Sequence, residues 1–143
     1  MPQDLLTLLP HRAPMLLLSR LDAFSEEEAR GVAELREGNP FLRADGLLER
    51  AAYPELIAQC FAAGAGALDR LAEKPRAAFG YLAAMRDIAV YADARLGETL
   101  TIRVKLTAAL GEVTVLEGEV RSADTLLATG QLKLFIPQQE PDS

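Results

Sequence analysis

The sequence predicts an α+β fold in which one antiparallel sheet wraps around one long central helix. Three observations predict it. Residues 51–70, AAYPELIAQCFAAGAGALDR, carry no charge from Leu56 to Leu68 and read as a single enclosed helix. After that helix the apolar period changes from 3.6 to 2, most cleanly in TLTIRVKL at 99–106. Short turn signals then separate consecutive alternating strands, so those strands form a meander with one covered face. The helix is the only element available to cover it.

Taken in order, QDLLTLL at 3–9 predicts a short helix ended by Pro10. MLLLSRLDAF at 15–24 has strand length. Acidic SEEE at 25–28 is a solvated turn, and ARGVAELRE at 29–37 a more polar second strand. GNPFLRADG at 38–46 is a loop, because Gly, Asn, Pro and Asp break regular structure. A short helical turn at Leu47–Arg50 is expected to lead into the long helix, whose first turn accommodates Pro54. Residues 76–92 are strand-like and 92–98 form a turn. In 99–106, Leu100, Ile102, Val104 and Leu106 share one face, opposite Thr99, Thr101, Arg103 and Lys105. Gly111 marks a hairpin into 112–120, and Ala123-Asp124 marks another into 125–137, with Leu132, Leu134 and Ile136 on one face. The chain reads as one domain over residues 1–143.

Composition removes several functional classes. A net charge of −6 with no basic run argues against nucleic acid as a partner. The single cysteine, Cys60, excludes an intrachain disulfide framework and sits on the apolar side of the helix as a structural thiol. No Cys/His cluster has metal-ligand spacing, so no metal or other cofactor is expected. The apolar N-terminal stretch is broken by Pro10, His11, Arg12 and Pro14, which fits neither a secretory segment nor a membrane span, and a cytoplasmic location is expected.

Glu55 is the odd residue of the long helix. It shares a side with Gln59, Ala62 and Gly66, at i, i+4, i+7 and i+11, and that side is small rather than solvated. Leu56, Ile57, Cys60 and Phe61 form the other side. Glu55 is a candidate catalytic carboxylate; the plain alternative is a carboxylate favoured by the helix dipole, worth about 0.3–1 kcal/mol. Gln59 is a candidate hydrogen-bonding residue toward substrate or toward Glu55. Tyr53 either lines the mouth of a site or packs as an aromatic. His11 reads as structural, tying down carbonyls at a helix exit. Asp45 and Glu49 read as solvated loop charges, and Gly64 and Gly66 lie inside the helix and make no phosphate loop.

Several segments, in order, resemble the 3-hydroxyacyl-(acyl carrier protein) dehydratases of fatty-acid synthesis, which have the hotdog fold. LPHRAPMLLLSR at 9–20 is similar to their opening motif, and NPFL at 39–42 to the strand exit before their active-site loop. ELIAQ at 55–59 resembles the Glu-x-x-Ala-Gln of their central helix, and 81–100 matches the following strand and turn without a gap. One departure is large. Those enzymes carry Gly-His-Phe-Pro in the loop before the helix, whereas here the loop reads RADGLLERAAY, shorter and without histidine. Ser19 also stands where Asp is usual before Arg20. The Tyr-x-Glu-Leu-x-Ala-Gln form of residues 53–59 is closer to a divergent branch that lacks the loop histidine and is associated with aryl-polyene-type biosynthesis.

The resemblance implies an acyl thioester substrate, on acyl carrier protein or coenzyme A, and a dimer of hotdog chains with itself or with another hotdog protein. It gives Glu55 the acid role and supplies no histidine base. Three functions follow: a dehydratase-like subunit working beside a chain that supplies histidine, a thioesterase in which Glu55 activates water, or a non-catalytic acyl-thioester binder. An acidic carrier protein needs a basic patch, for which Arg12, Arg43, Arg50, Arg70, Lys74 and Arg76 are candidates, while the net negative charge works against docking.

Overall fold

Alternation of apolar and polar residues decides which face of each strand meets the helix. In the computed structural model, which describes residues 17–71 and 82–135, six strands form one antiparallel sheet. They are β1 (Arg20–Phe24), β2 (Glu28–Glu34), β3 (Leu82–Val90), β4 (Thr99–Leu110), β5 (Val113–Ser122) and β6 (Thr125–Phe135), in the spatial order β1-β2-β4-β5-β6-β3. Among the described residues a single 20-residue helix, α1 (Ala52–Leu71), lies across β1, β2, β4, β5 and β6. This is the hotdog arrangement expected from the sequence. The proposed 3–9 helix, residues 76–81 and His11 lie outside the described residues.

The register confirms the face assignment. Leu100, Ile102 and Val104 are buried, while Thr99, Thr101 and Lys105 are exposed. Leu56, Ile57 and Cys60 of α1 meet them in one cluster with Val120 and Leu132. No residue of α1 from Ala52 to Leu68 is exposed, which explains the missing charges. The helix lies unusually close to the sheet. A Cβ at Gly31 of β2 would stand 3.3 Å from Cys60 Sγ of α1, and one at Gly64 of α1 would stand 2.7 Å from Ala29 Cβ of β2. The small residues of α1 are therefore a packing requirement of the fold.

One local expectation is corrected. Residues 47–50 do not form a helical turn. Leu48 is buried and bridges Leu42, while Leu47 bridges Arg95. Gly46, at φ 83°, and the Asp45 carboxylate accepting from Leu47 N at 3.1 Å fold the loop back on itself. A buried leucine in this hairpin-like loop finds its backbone partner in the neighbouring 92–98 turn, with Leu48 N donating to Ala94 O at 2.9 Å. The path into α1 is thereby pinned to the 92–98 turn. No helix among the described residues is long and apolar enough to cross a membrane.

Candidate active site

The N-terminal half of α1 is clamped from two directions, and Glu55 lies between the clamps. The first clamp is Tyr53. Its ring is fully buried, its hydroxyl donates to Ala92 O at 3.2 Å, and it accepts from Ala94 N at 3.0 Å. Burial pushes the phenol above its ordinary pKa, while the Ala94 N–H opposes the rise. The second clamp is Gln59, also fully buried. Its Oε1 accepts from Leu17 N at 2.9 Å and from Leu18 N at 3.1 Å.

Glu55 occupies the first turn of α1, where the dipole favours a carboxylate, and it is partly exposed. Gln59 Nε2 donates to Glu55 Oε1 at 2.9 Å, one helical turn away. The structure therefore brings Glu55 and Gln59 together. It takes Tyr53 to the 92–94 turn instead, because residues two apart on a helix point to opposite sides. The backbone amides of Leu17 and Leu18 belong to the site as well. Sequence reasoning missed them, since a bond spanning about forty residues to a main-chain N–H leaves no side-chain signature.

The remaining candidates are occupied locally. Cys60 is buried, its thiol directed at Ile102 O at 3.8 Å, and burial pushes it up to about 12. Asp45 caps Leu47 and pairs with Arg43 at 3.1 Å; Arg50 pairs with Asp93 at 3.2 Å. Two cations of the suggested basic patch thus face carboxylates, and Arg12, Lys74, Arg76 and the Arg70 side chain lie outside the described residues. A cleft of about 420 Å³ opens on the other face of the sheet among Arg103, Lys105, Glu117, Glu119 and Gln131, remote from Glu55 because those side chains point away from α1.

Chemically, the site offers a carboxylate fixed at a helix N-terminus and oriented by an amide. The loop from Asn39 to Ala51 that delivers it is described throughout and holds no histidine.

Comparison with known proteins places this geometry in a family. The model of the ApeP-like family, described as ApeP dehydratase, matches residues 3–143. The 3-hydroxyacyl-(acyl-carrier-protein) dehydratase FabZ of Natranaerobius thermophilus is 32% identical over 139 residues, covering 92% of this chain and 94% of that protein. The FabZ of Streptococcus sanguinis is 27% identical over 130 residues, covering 91% and 93%. Among solved structures, the dehydratase heterocomplex ApeI:P from Xenorhabdus doucetiae aligns with a TM-score of 0.81 at 24% identity, covering 97% of this chain and 93% of that one. Zebra fish thioesterase superfamily member 2 aligns with a TM-score of 0.69 at 15% identity, covering 90% and 88%, a likeness of fold. With its whole described sheet, its central helix and nearly its full length matched, the chain belongs to the ApeP-like dehydratase family.

Proposed function

We propose that this chain is one subunit of a 3-hydroxyacyl-thioester dehydratase of polyene-type biosynthesis, working beside a second hotdog chain that supplies the catalytic histidine. Dehydration needs a base for the α-proton and an acid for the departing β-hydroxyl. Glu55 is the acid; it protonates the hydroxyl oxygen as the C–O bond breaks and water leaves. The base comes from the partner. The observation that carries this reading is the combination of an oriented Glu55–Gln59 pair with a delivering loop that holds no histidine. The solved ApeI:P heterocomplex supports it, since that relative is itself a dehydratase of two different chains. The FabZ relatives point to acyl carrier protein as the thioester carrier.

The test is a dehydration assay on 3-hydroxyacyl thioesters, with this protein alone and with a hotdog protein encoded beside it. The expected result is little or no turnover alone, robust turnover with the partner, and loss of that turnover in Glu55→Gln. Robust dehydration by this protein alone overturns the partner requirement. A second reading draws on the position of Glu55 at the helix N-terminus, where backbone N–H groups can polarise a thioester carbonyl. Thioester hydrolysis abolished by Glu55→Ala puts thioesterase activity first, and saturable binding with neither reaction puts a binding role first.

A further inference from the structure

An amide has a donor end and an acceptor end, and around Gln59 the fold decides which faces which. Two backbone N–H groups, from Leu17 and Leu18, converge on one end at 2.9 and 3.1 Å. That end is therefore the oxygen, with its lone pairs occupied. The NH2 end then faces Glu55 and donates to Oε1 at 2.9 Å. Gln59 is fully buried, so no solvent substitutes for these partners. Turning the amide over would set NH2 against two N–H groups and oxygen against carboxylate, breaking three hydrogen bonds at once. A glutamine at this position is consequently a one-way coupler from the 17–18 backbone to the carboxylate.

We propose that Gln59 is a positioning residue that divides the work of the two Glu55 oxygens. Oε1 is held as an acceptor, and Oε2 carries the proton that goes to the departing hydroxyl oxygen. The last step rests on the dehydratase reading; the division between the oxygens does not. When the C–O bond breaks, the Oε2–H pair of electrons stays on Glu55 as carboxylate, the proton leaves in water, and the α-proton has gone to the partner's base. Gln59 acts through Glu55, to which its Nε2 donates, while its oxygen is held by the Leu17 and Leu18 N–H groups.

Two variants separate this role from simple packing. Gln59→Glu is nearly isosteric and keeps an oxygen for Leu17 and Leu18, but it replaces the donor to Glu55 by a second oxygen. Gln59→Met keeps the volume and removes both ends. The primary measurement is a pH titration of carboxyl-13C-labelled protein by NMR, with the Glu55 signal assigned through Glu55→Gln. In Gln59→Glu two carboxyl groups in contact cannot both ionise, so they titrate as a coupled pair whose upper step is raised by about one unit or more. In Gln59→Met the Glu55 carboxyl carbon signal is displaced along its titration curve, because its donor is gone. The second measurement is dehydration in the presence of the partner. At neutral pH Gln59→Glu lowers kcat by about tenfold to a hundredfold with little change in KM. The deficit relative to the unsubstituted protein narrows toward acidic pH, where the introduced carboxyl is protonated and donates to Oε1 again; a packing defect would leave the deficit independent of pH.

Unchanged Glu55 titration in both variants overturns the inference, as does a rise in KM with kcat intact, which would place Gln59 on the substrate. If Gln59→Glu fails to fold, the Gln59→Met titration decides. If the unsubstituted pair of proteins shows no dehydration, the dehydratase reading fails while the titration still decides the division between the oxygens.

Discussion

Ile57 of α1 packs directly onto the backbone of Gly118 in β5, and a side-chain carbon at Gly118 would overlap the Ile57 side chain. Gly118 also pairs in register with Gly130 of β6, so the sheet is thinnest where the helix comes closest. Gly118→Ala is expected to destabilise the protein by about 1–3 kcal/mol through overpacking. Ile57→Ala alone is expected to cost about 2–5 kcal/mol. The double variant should lose clearly less than the sum, because the two side chains share one space. Urea midpoints of the four proteins check this; strict additivity would show that the two side chains do not compete for one space.

Tyr53 is held by a hydroxyl that both donates and accepts in the 92–94 turn. Tyr53→Phe leaves the buried Ala94 N–H without its acceptor, and the expected loss is about 1–3 kcal/mol. The same variant frees the first turn of α1. Hydrogen exchange at Ala94 should accelerate far more than exchange in β4, and equal acceleration at both would argue for a global effect instead.

Glu28 joins two strands. It accepts from Arg30 Nε at 2.6 Å on its own strand and from Arg103 Nε at 2.7 Å on β4. These two guanidiniums, Arg30 first, hold its carboxyl below the ordinary value of 4.5. A depressed carboxylate contributes stability that is fully present above its unfolded pKa. That contribution is lost as pH falls through the folded value. Glu28→Gln should therefore be less stable than the unsubstituted protein at pH 7, with the gap closing below about pH 4. Added salt should narrow the gap too, since the group is partly exposed. A gap independent of pH would rule out the ionic origin.

Cys60 is shut inside the core with its pKa pushed up to about 12 by burial. The thiolate is the reactive form, so native protein at pH 8 should resist alkylation at a rate set by unfolding. The stability gained by keeping the thiol protonated is present below its unfolded pKa of about 8.5 and is lost as pH rises toward the folded value. Rapid, single-step labelling of native protein by a bulky thiol reagent would contradict this burial.

Ala123 opens the two-residue turn between Ser122 and Thr125 at φ 50°, in the left-handed region. An L residue with a Cβ is disfavoured there, and hairpin turns of this length prefer glycine. Ala123→Gly should raise stability by up to about 1 kcal/mol without altering the ends of β5 and β6. A fall in melting temperature would mean that unfolded-state entropy outweighs the relieved strain.

Much of the architecture was legible because it depends on periodicity. The long helix with its charge-free stretch from Leu56 to Leu68, the alternation in β4 and the hairpins at Gly111 and Ala123-Asp124 follow from local pattern, and each appears within a few residues of its expected place. Glu55 and Gln59 were legible as a pair because i and i+4 residues meet on any helix. The turn at Leu47–Arg50 was not, because there long-range pairing with Leu42 and Arg95 overrides local propensity.

By itself the sequence determined the fold class, the central helix, the carboxylate–amide pair and the missing loop histidine. It did so because those features are set by residue type and short-range spacing. Only the tertiary structure decided what those groups touch. It sent Tyr53 into the 92–94 turn, and it turned the Gln59 amide by bringing the Leu17 and Leu18 N–H groups to its oxygen. Both outcomes come from main-chain donors and acceptors some forty residues away. Every residue except proline carries such groups, so no pattern of side chains announces which ones will arrive.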